Sequence, residues 1–164
     1  MADKPQGLAR ELGKLLLRLK LNLATAESCT GGWVAKLVTD VPGSSGWFER
    51  GFVTYSNAAK QEMLGVREPT LLEQGAVSHA VVVEMAEGAL GHSYADIAVA
   101  ISGVAGPDGG TPDKPVGMVW IAWARHGEPT EAECHHFDGD REAVRLQSAR
   151  TALQGLIHRL DRDA

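Results

Sequence analysis

Leu8, Leu12, Leu15, Leu16 and Leu19 recur at helical spacing, so residues 5–20 are predicted to form an amphipathic helix with one leucine stripe. A short apolar strand over Leu21–Ala26 follows. It runs into Glu-Ser-Cys-Thr-Gly-Gly before Trp33, Val34, Ala35, Leu37 and Val38 resume the helical period, which reads as strand, tight turn and helix. Turn residues 41–46 end that helix, and Phe52–Tyr55 has the β-branched and aromatic content of a second strand. From Ser56-Asn57 a short helix carries Lys60 and ends at Gly65; residues 66–78 read as irregular connection with at most a turn of helix. Ser78 caps a further helix that ends around Gly91. Ala95–Ser102 is an almost unbroken apolar run, as expected of a strand covered on both faces. A glycine-rich loop leads on to two strands, Val116–Ala124 and Thr130–Phe137, joined by a turn at residues 126–129. From about Asp140 a long helix places Leu146, Ala149, Leu153, Leu156, Ile157 and Leu160 on one face.

Five strands interleaved with helices predict one three-layer α/β/α domain over residues 1–164. The short link between the last two strands makes that pair antiparallel, so the five-stranded sheet is expected to be mixed and mostly parallel. With 44% apolar and 23% charged residues, the chain has enough apolar surface to bury a core. Its net charge of −5 disfavours a nucleic-acid partner, whose binding needs many phosphate-neutralising cations. No run is long enough to span a membrane, the first residues lack a signal-peptide core, and the two cysteines form no disulfide framework; a cytoplasmic location is the expectation.

In α/β sheets ligands gather beyond the carboxyl ends of strands, so the chemistry is expected in the loops there. Ser28 stands where a strand turns into a helix, beside the amides of Cys29, Thr30, Gly31 and Gly32, which could bind an oxyanion. The same segment is equally consistent with Ser28 or Thr30 capping the helix while the glycines permit close packing. A serine nucleophile needs a base, and no histidine lies in an obvious site loop. Lys60 has the reach from the end of the neighbouring strand, provided that burial makes it neutral; alone, a lysine in a short helix is ordinarily solvated. Cys29 is the rival nucleophile, since a helix start lowers a thiol pKa. His135-His136 points to opposite faces of a strand and does not suggest a metal, and residues 103–110 match neither phosphate-binding glycine motif. Four tryptophans read as core or interface, with Trp47 or Phe48 as candidates to flank a planar ring.

The segments AESCTGG at 26–32, VPGSSGWFERGFVTYSNAAK at 41–60, GAVS at 75–78, SGVAGPDGGTPDKPVGMVW at 102–120 and GDREAVR at 139–145 closely resemble the CinA C-terminal family over nearly the whole chain. The resemblance implies Ser28 as nucleophile and Lys60 as base, with Tyr55 beside them to relay or orient a proton. It further implies that Gly43, Ser44, Ser45 and Gly46, the loop from Gly106 to Thr111, and Arg141 or Arg145 surround a nucleotide. The implied activity is that of the family's stand-alone members, deamidation of nicotinamide mononucleotide in pyridine nucleotide salvage, without metal or organic cofactor. The large domain that precedes this one in full-length members is expected to be missing, with any activity it holds. The expected partner is a small-molecule nucleotide, not nucleic acid or membrane; a homo-oligomer is left open. Two rivals stand beside this reading, a nucleotide-binding or interaction module of the same fold without turnover and a cysteine amidase using Cys29.

Overall fold

The computed structural model of the chain describes residues 4–163. In α1 (Pro5–Leu19) the leucine stripe is buried, and Lys20, in the left-handed region at φ 59°, ends the helix. The chain continues through β1 (Leu23–Glu27), α2 (Trp33–Thr39), a 3-10 turn at Ser44–Gly46, β2 (Phe48–Val53), α3 (Asn57–Leu64), α4 (Glu68–Gln74) and α5 (His79–Gly91). β3 (Ile97–Gly103), β4 (Met118–Arg125), β5 (Glu131–His136) and α6 (Arg141–Asp161) complete it. The strands form one sheet in the order β2-β1-β3-β4-β5. β1 pairs in parallel with both β2 and β3, while β4 pairs antiparallel with β3 and β5. Four strands therefore point one way and β4 alone opposes them, the mixed sheet that the sequence predicts.

Two apolar clusters cover the two faces. One joins α1, α2 and α6 to the sheet through residues such as Leu12, Leu16, Val34 and Leu153; the other joins α3, α4 and α5 through Leu64, Leu71, Val82 and Met85. All residues of β1 and all but the last of β3 are buried, because both central strands have helices above and below. The predicted cap at Ser78 forms, accepting from the Val81 amide at 3.2 Å; Ser56 rather than Asn57 caps α3, and Asp140 caps α6 by accepting from the Ala143 amide at 2.9 Å. Among the described residues no helix is long and apolar enough to cross a membrane.

Beside shifts of one or two residues at the ends of the last three strands, three differences from the sequence reading stand out. The first strand is Leu23–Glu27, two residues later at its start. The second is Phe48–Val53 rather than 52–55. It is an edge strand whose Glu49 and Arg50 pair with each other at 2.7 Å, so its first half carries polar residues that disguise it. It also ends earlier, because the carbonyls of Thr54 and Tyr55 turn away from the sheet to a side chain described below. Residues 68–74, read as connection, form the short helix α4, whose Pro69 is tolerated in the first turn. Trp47 does not flank a ligand. It is 1% exposed and packs on α1, where a Cβ at Gly13 would meet its indole at 2.8 Å.

α3 and α5 touch at Gly88, where an added Cβ would stand 1.9 Å from the Leu64 carbonyl oxygen. Gly88→Ala is expected to force these helices apart and to lower the melting temperature by roughly 4–10 °C, since overpacking costs about 1–3 kcal/mol in a chain of this size. A thermal melt followed by circular dichroism checks it.

Candidate active site

β1 lies between β2 and β3, all three pointing the same way, so their carboxyl ends meet at one edge of the sheet. Ser28 follows β1, Thr54 and Tyr55 follow β2, and Ser102 and Gly103 end β3. The ladder extends one step past the strands: the Ser28 amide donates to the Ile101 carbonyl at 3.0 Å and the Thr54 amide to the Glu27 carbonyl at 2.8 Å. Ser28 and Lys60 are thus fixed by the rigid centre of the fold rather than by a free loop.

Lys60 is brought in by α3, which Ser56 starts by accepting the Ala59 amide at 3.0 Å. Its side chain is 1% exposed. Nζ lies 2.9 Å from Ser28 Oγ, 2.8 Å from the Thr54 carbonyl oxygen and 3.1 Å from that of Tyr55. A carbonyl only accepts, so in the neutral amine the two N–H groups go to Thr54 and Tyr55 and the lone pair is left for the Ser28 hydroxyl proton. Burial disfavours the ammonium and lowers the lysine pKa to about 8. The base therefore has both the geometry and the basicity to take a serine proton near neutral pH.

Cys29 cannot compete on these terms. It is 5% exposed, and burial pushes its thiol up to about 12, so the thiolate is absent at neutral pH.

Ser28, Cys29, Tyr55, Asn57, Lys60, Ser102, Gly106, Asp108 and Arg141 line one cleft of about 320 Å³. Arg141, in the first turn of α6, donates to the Gly106 carbonyl at 2.8 Å and to the Tyr55 hydroxyl at 3.2 Å, and among the described residues its remaining N–H groups have no acceptor. The Tyr55 ring is largely exposed at the cleft mouth, with its hydroxyl beside a guanidinium and its carbonyl on Lys60.

Not every residue expected here is brought together. Gly43, Ser44, Ser45 and Gly46 precede β2 at the opposite edge of the sheet: the Trp47 carbonyl, just after them, accepts from Leu23 at the start of β1, whereas Ser28 follows its end. A five-residue strand separates them from Ser28, on the order of 15 Å, so within one chain they do not surround the same ligand. Thr111 is exposed and accepts from the Lys114 amide at 3.0 Å, closing its own turn outside the cleft. Thr30 is fully buried and donates to Glu27 at 2.6 Å, a structural bond. Gly31 faces a neighbouring cleft with Arg145, whose guanidinium is held by the carbonyls of Cys29 and Thr30 rather than left free for phosphate.

The amides at the start of α2 itself are not among those beside Ser28. α2 begins only at Trp33, and its Val34 and Ala35 amides donate to the buried Glu27 carboxylate at 2.9 and 3.0 Å. Glu27 thereby ties the turn that carries Ser28 to α2. The sequence carries a signal for it, since a carboxylate ending an apolar strand has to find partners when buried. Ser102 is likewise marked as the polar end of an apolar central strand. Asn57 and Asp108 have no such mark. Among the described residues no group of three His, Cys, Asp or Glu is placed to hold a metal ion.

A serine and a buried lysine stand in hydrogen-bond contact at strand ends of an α/β sheet, an arrangement that suits a serine nucleophile with a lysine base. The model of the CinA C-terminal domain matches residues 5–160, and the chain belongs to that family. The Nicotinamide-nucleotide amidohydrolase PncC of Escherichia coli K12 is 60% identical over 151 residues, covering 91% of this chain and 90% of the relative. The protein of the same name from Pseudomonas putida is 56% identical over 150 residues, covering 92% and 93%. Among solved structures, the competence/damage inducible protein CihA from Agrobacterium tumefaciens superposes with a TM-score of 0.92 at 44% identity, covering 96% of this chain and 95% of that one.

Proposed function

We propose that this protein hydrolyses the carboxamide of nicotinamide mononucleotide to nicotinate mononucleotide and ammonia, a step of pyridine nucleotide salvage, with Ser28 as nucleophile and Lys60 as base. The observation that carries the reading is the 2.9 Å contact between a neutral-prone, buried Lys60 and Ser28 inside a cleft, in a chain 60% identical to a nicotinamide-nucleotide amidohydrolase.

Neutral Lys60 takes the Ser28 proton as Oγ bonds to the carboxamide carbon, and the carbonyl π electrons move to oxygen. The amides of the turn after Ser28 stabilise that oxyanion. The tetrahedral carbon then expels nitrogen, which receives the proton from the Lys60 ammonium, directly or by way of Tyr55, and leaves as ammonia. Water attacks the resulting ester, giving one proton to Lys60; collapse returns that proton to Ser28 Oγ and releases the carboxylic acid, which ionises to nicotinate as ammonia or solvent takes its proton. No step requires a metal ion or organic cofactor.

Arg141 is the arginine that meets the substrate phosphate, because it lines the cleft whereas Arg145 is engaged by the nucleophile turn. Phosphate contacts remote from the carboxamide can hold it against Ser28, so they affect kcat as well as KM. Arg141→Ala is expected to lower kcat/KM for the mononucleotide by roughly 30- to 100-fold, the weight of charge-assisted hydrogen bonds, and to leave hydrolysis of nicotinamide riboside little changed. Ammonia release from mononucleotide, riboside and free nicotinamide checks this. Equal kcat/KM for mononucleotide and riboside on the unaltered enzyme refutes the nucleotide-specific reading.

A further inference from the structure

We infer that Arg145 is a positioning residue that locks the Thr30 amide into the oxyanion site from behind the turn carrying Ser28, an inference that rests on the Ser28–Lys60 reading above. Arg145 Nε donates to the Cys29 carbonyl at 3.0 Å and Nη2 to the Thr30 carbonyl at 3.2 Å. In a planar trans peptide the C=O and the next N–H point opposite ways. Holding the Cys29 carbonyl therefore turns the Thr30 N–H away from Arg145.

The direction matters because the turn separates two clefts. Arg145 lies in one of about 520 Å³ with Thr30, Gly31 and Trp33, while Ser28 and Cys29 line the other with Lys60. An amide aimed away from Arg145 is aimed toward the Ser28 side. Among the described residues the Thr30 amide donates no hydrogen bond, whereas the Gly31 amide closes the turn on the Ser28 carbonyl at 3.0 Å and the Val34 and Ala35 amides belong to Glu27. Among the described residues the Cys29 and Gly32 amides are likewise without an acceptor, and the Thr30 amide is the one whose direction the Arg145–Cys29 bond sets.

The lock acts on the Cys29–Thr30 peptide, whose flip, a rotation about ψ of Cys29 and φ of Thr30, would present the Cys29 carbonyl to the cleft. That would replace an oxyanion donor by an acceptor. Arg145 is anchored against this by α6 and by the Trp33 ring, 5.6 Å from its guanidinium carbon. The planar guanidinium donates from two nitrogens in a fixed geometry, Nε to Cys29 and Nη2 to Thr30, which an ammonium on a flexible stem does not reproduce.

The test compares the unaltered enzyme with Arg145→Gln and Arg145→Lys, using nicotinamide mononucleotide as substrate and the mononucleotide of pyridine-3-carbaldehyde as probe. The aldehyde forms a hemiacetal with Ser28 whose oxygen lies where the oxyanion develops. In Arg145→Gln, kcat is expected to fall about 100-fold with KM changed by no more than about 3-fold, and aldehyde affinity to fall in step with kcat/KM. The pH dependence of the rate keeps its apparent pKa, because Lys60 is untouched. Arg145→Lys recovers part of the loss. A higher KM with kcat and aldehyde affinity unchanged would overturn the inference and make Arg145 a substrate anchor. A loss of kcat without loss of aldehyde affinity, or with a displaced rate pKa, overturns it as well. If Arg145→Gln melts before assay, Arg145→Lys in the same measurements decides. Ser28→Ala is run alongside: if it turns over normally and the unaltered enzyme makes no aldehyde adduct, it is the Ser28–Lys60 reading that has failed.

Discussion

Ser28→Ala is expected to lower carboxamide hydrolysis by roughly four or more orders of magnitude, as loss of a covalent nucleophile does elsewhere. Folding should survive, because the change removes one oxygen whose side-chain partner is Lys60, and Lys60 keeps its bonds to the Thr54 and Tyr55 carbonyls. Cys29→Ala, by contrast, should retain most activity, since its thiol is buried and protonated. Ammonia release and a thermal melt on both variants check the pair. If Cys29→Ala is inactive and Ser28→Ala active, the assignment is reversed.

Lys60→Arg and Lys60→Met are expected to be inactive to a similar degree, although one keeps the positive charge. A guanidinium cannot give up its proton near neutral pH, so it cannot serve as base. On the unaltered enzyme kcat/KM should rise with pH, tenfold per unit, and level off above about 8, where the amine becomes neutral. The same lowered pKa has a stability signature. Between about 8 and the ordinary lysine value of 10.5 the unfolded chain holds a proton that the folded chain has released, so stability gained through Lys60 grows with rising pH in that window. Lys60→Met should lose that contribution. Denaturant titrations of both proteins at several pH values between 7 and 10 measure it, and a Lys60→Arg enzyme with substantial single-turnover rate rules out proton abstraction by this residue.

Much of the fold is legible because burial writes a simple pattern. The stripe of α1, the unbroken apolar run of β3 and the cap at Ser78 each follow from local chemistry. β2 was harder to read, since an edge strand needs only one good face and Glu49-Arg50 interrupts its apolar signal. The site divides the same way. The Ser28 and Lys60 positions follow from strand ends and motif resemblance, yet their 2.9 Å contact depends on β1 and β2 being parallel neighbours, which no local pattern states. Arg141 and Arg145 lie one helical turn apart and look interchangeable in sequence. Only the fold shows that one faces the cleft and the other grips the nucleophile turn. The Gly43–Gly46 turn shows the reverse error: its Ser and Gly content suits phosphate, but the parallel register of β1 and β2 carries it to the far edge of the sheet.

The most direct test of Ser28 as nucleophile is to quench the enzyme in acid within milliseconds of mixing with nicotinamide mononucleotide and to map the modified residue by fragmentation mass spectrometry. The account predicts a nicotinoyl-nucleotide ester on Ser28, absent from Ser28→Ala and formed more slowly below pH 8. An adduct on Cys29, or normal turnover by Ser28→Ala, would contradict it.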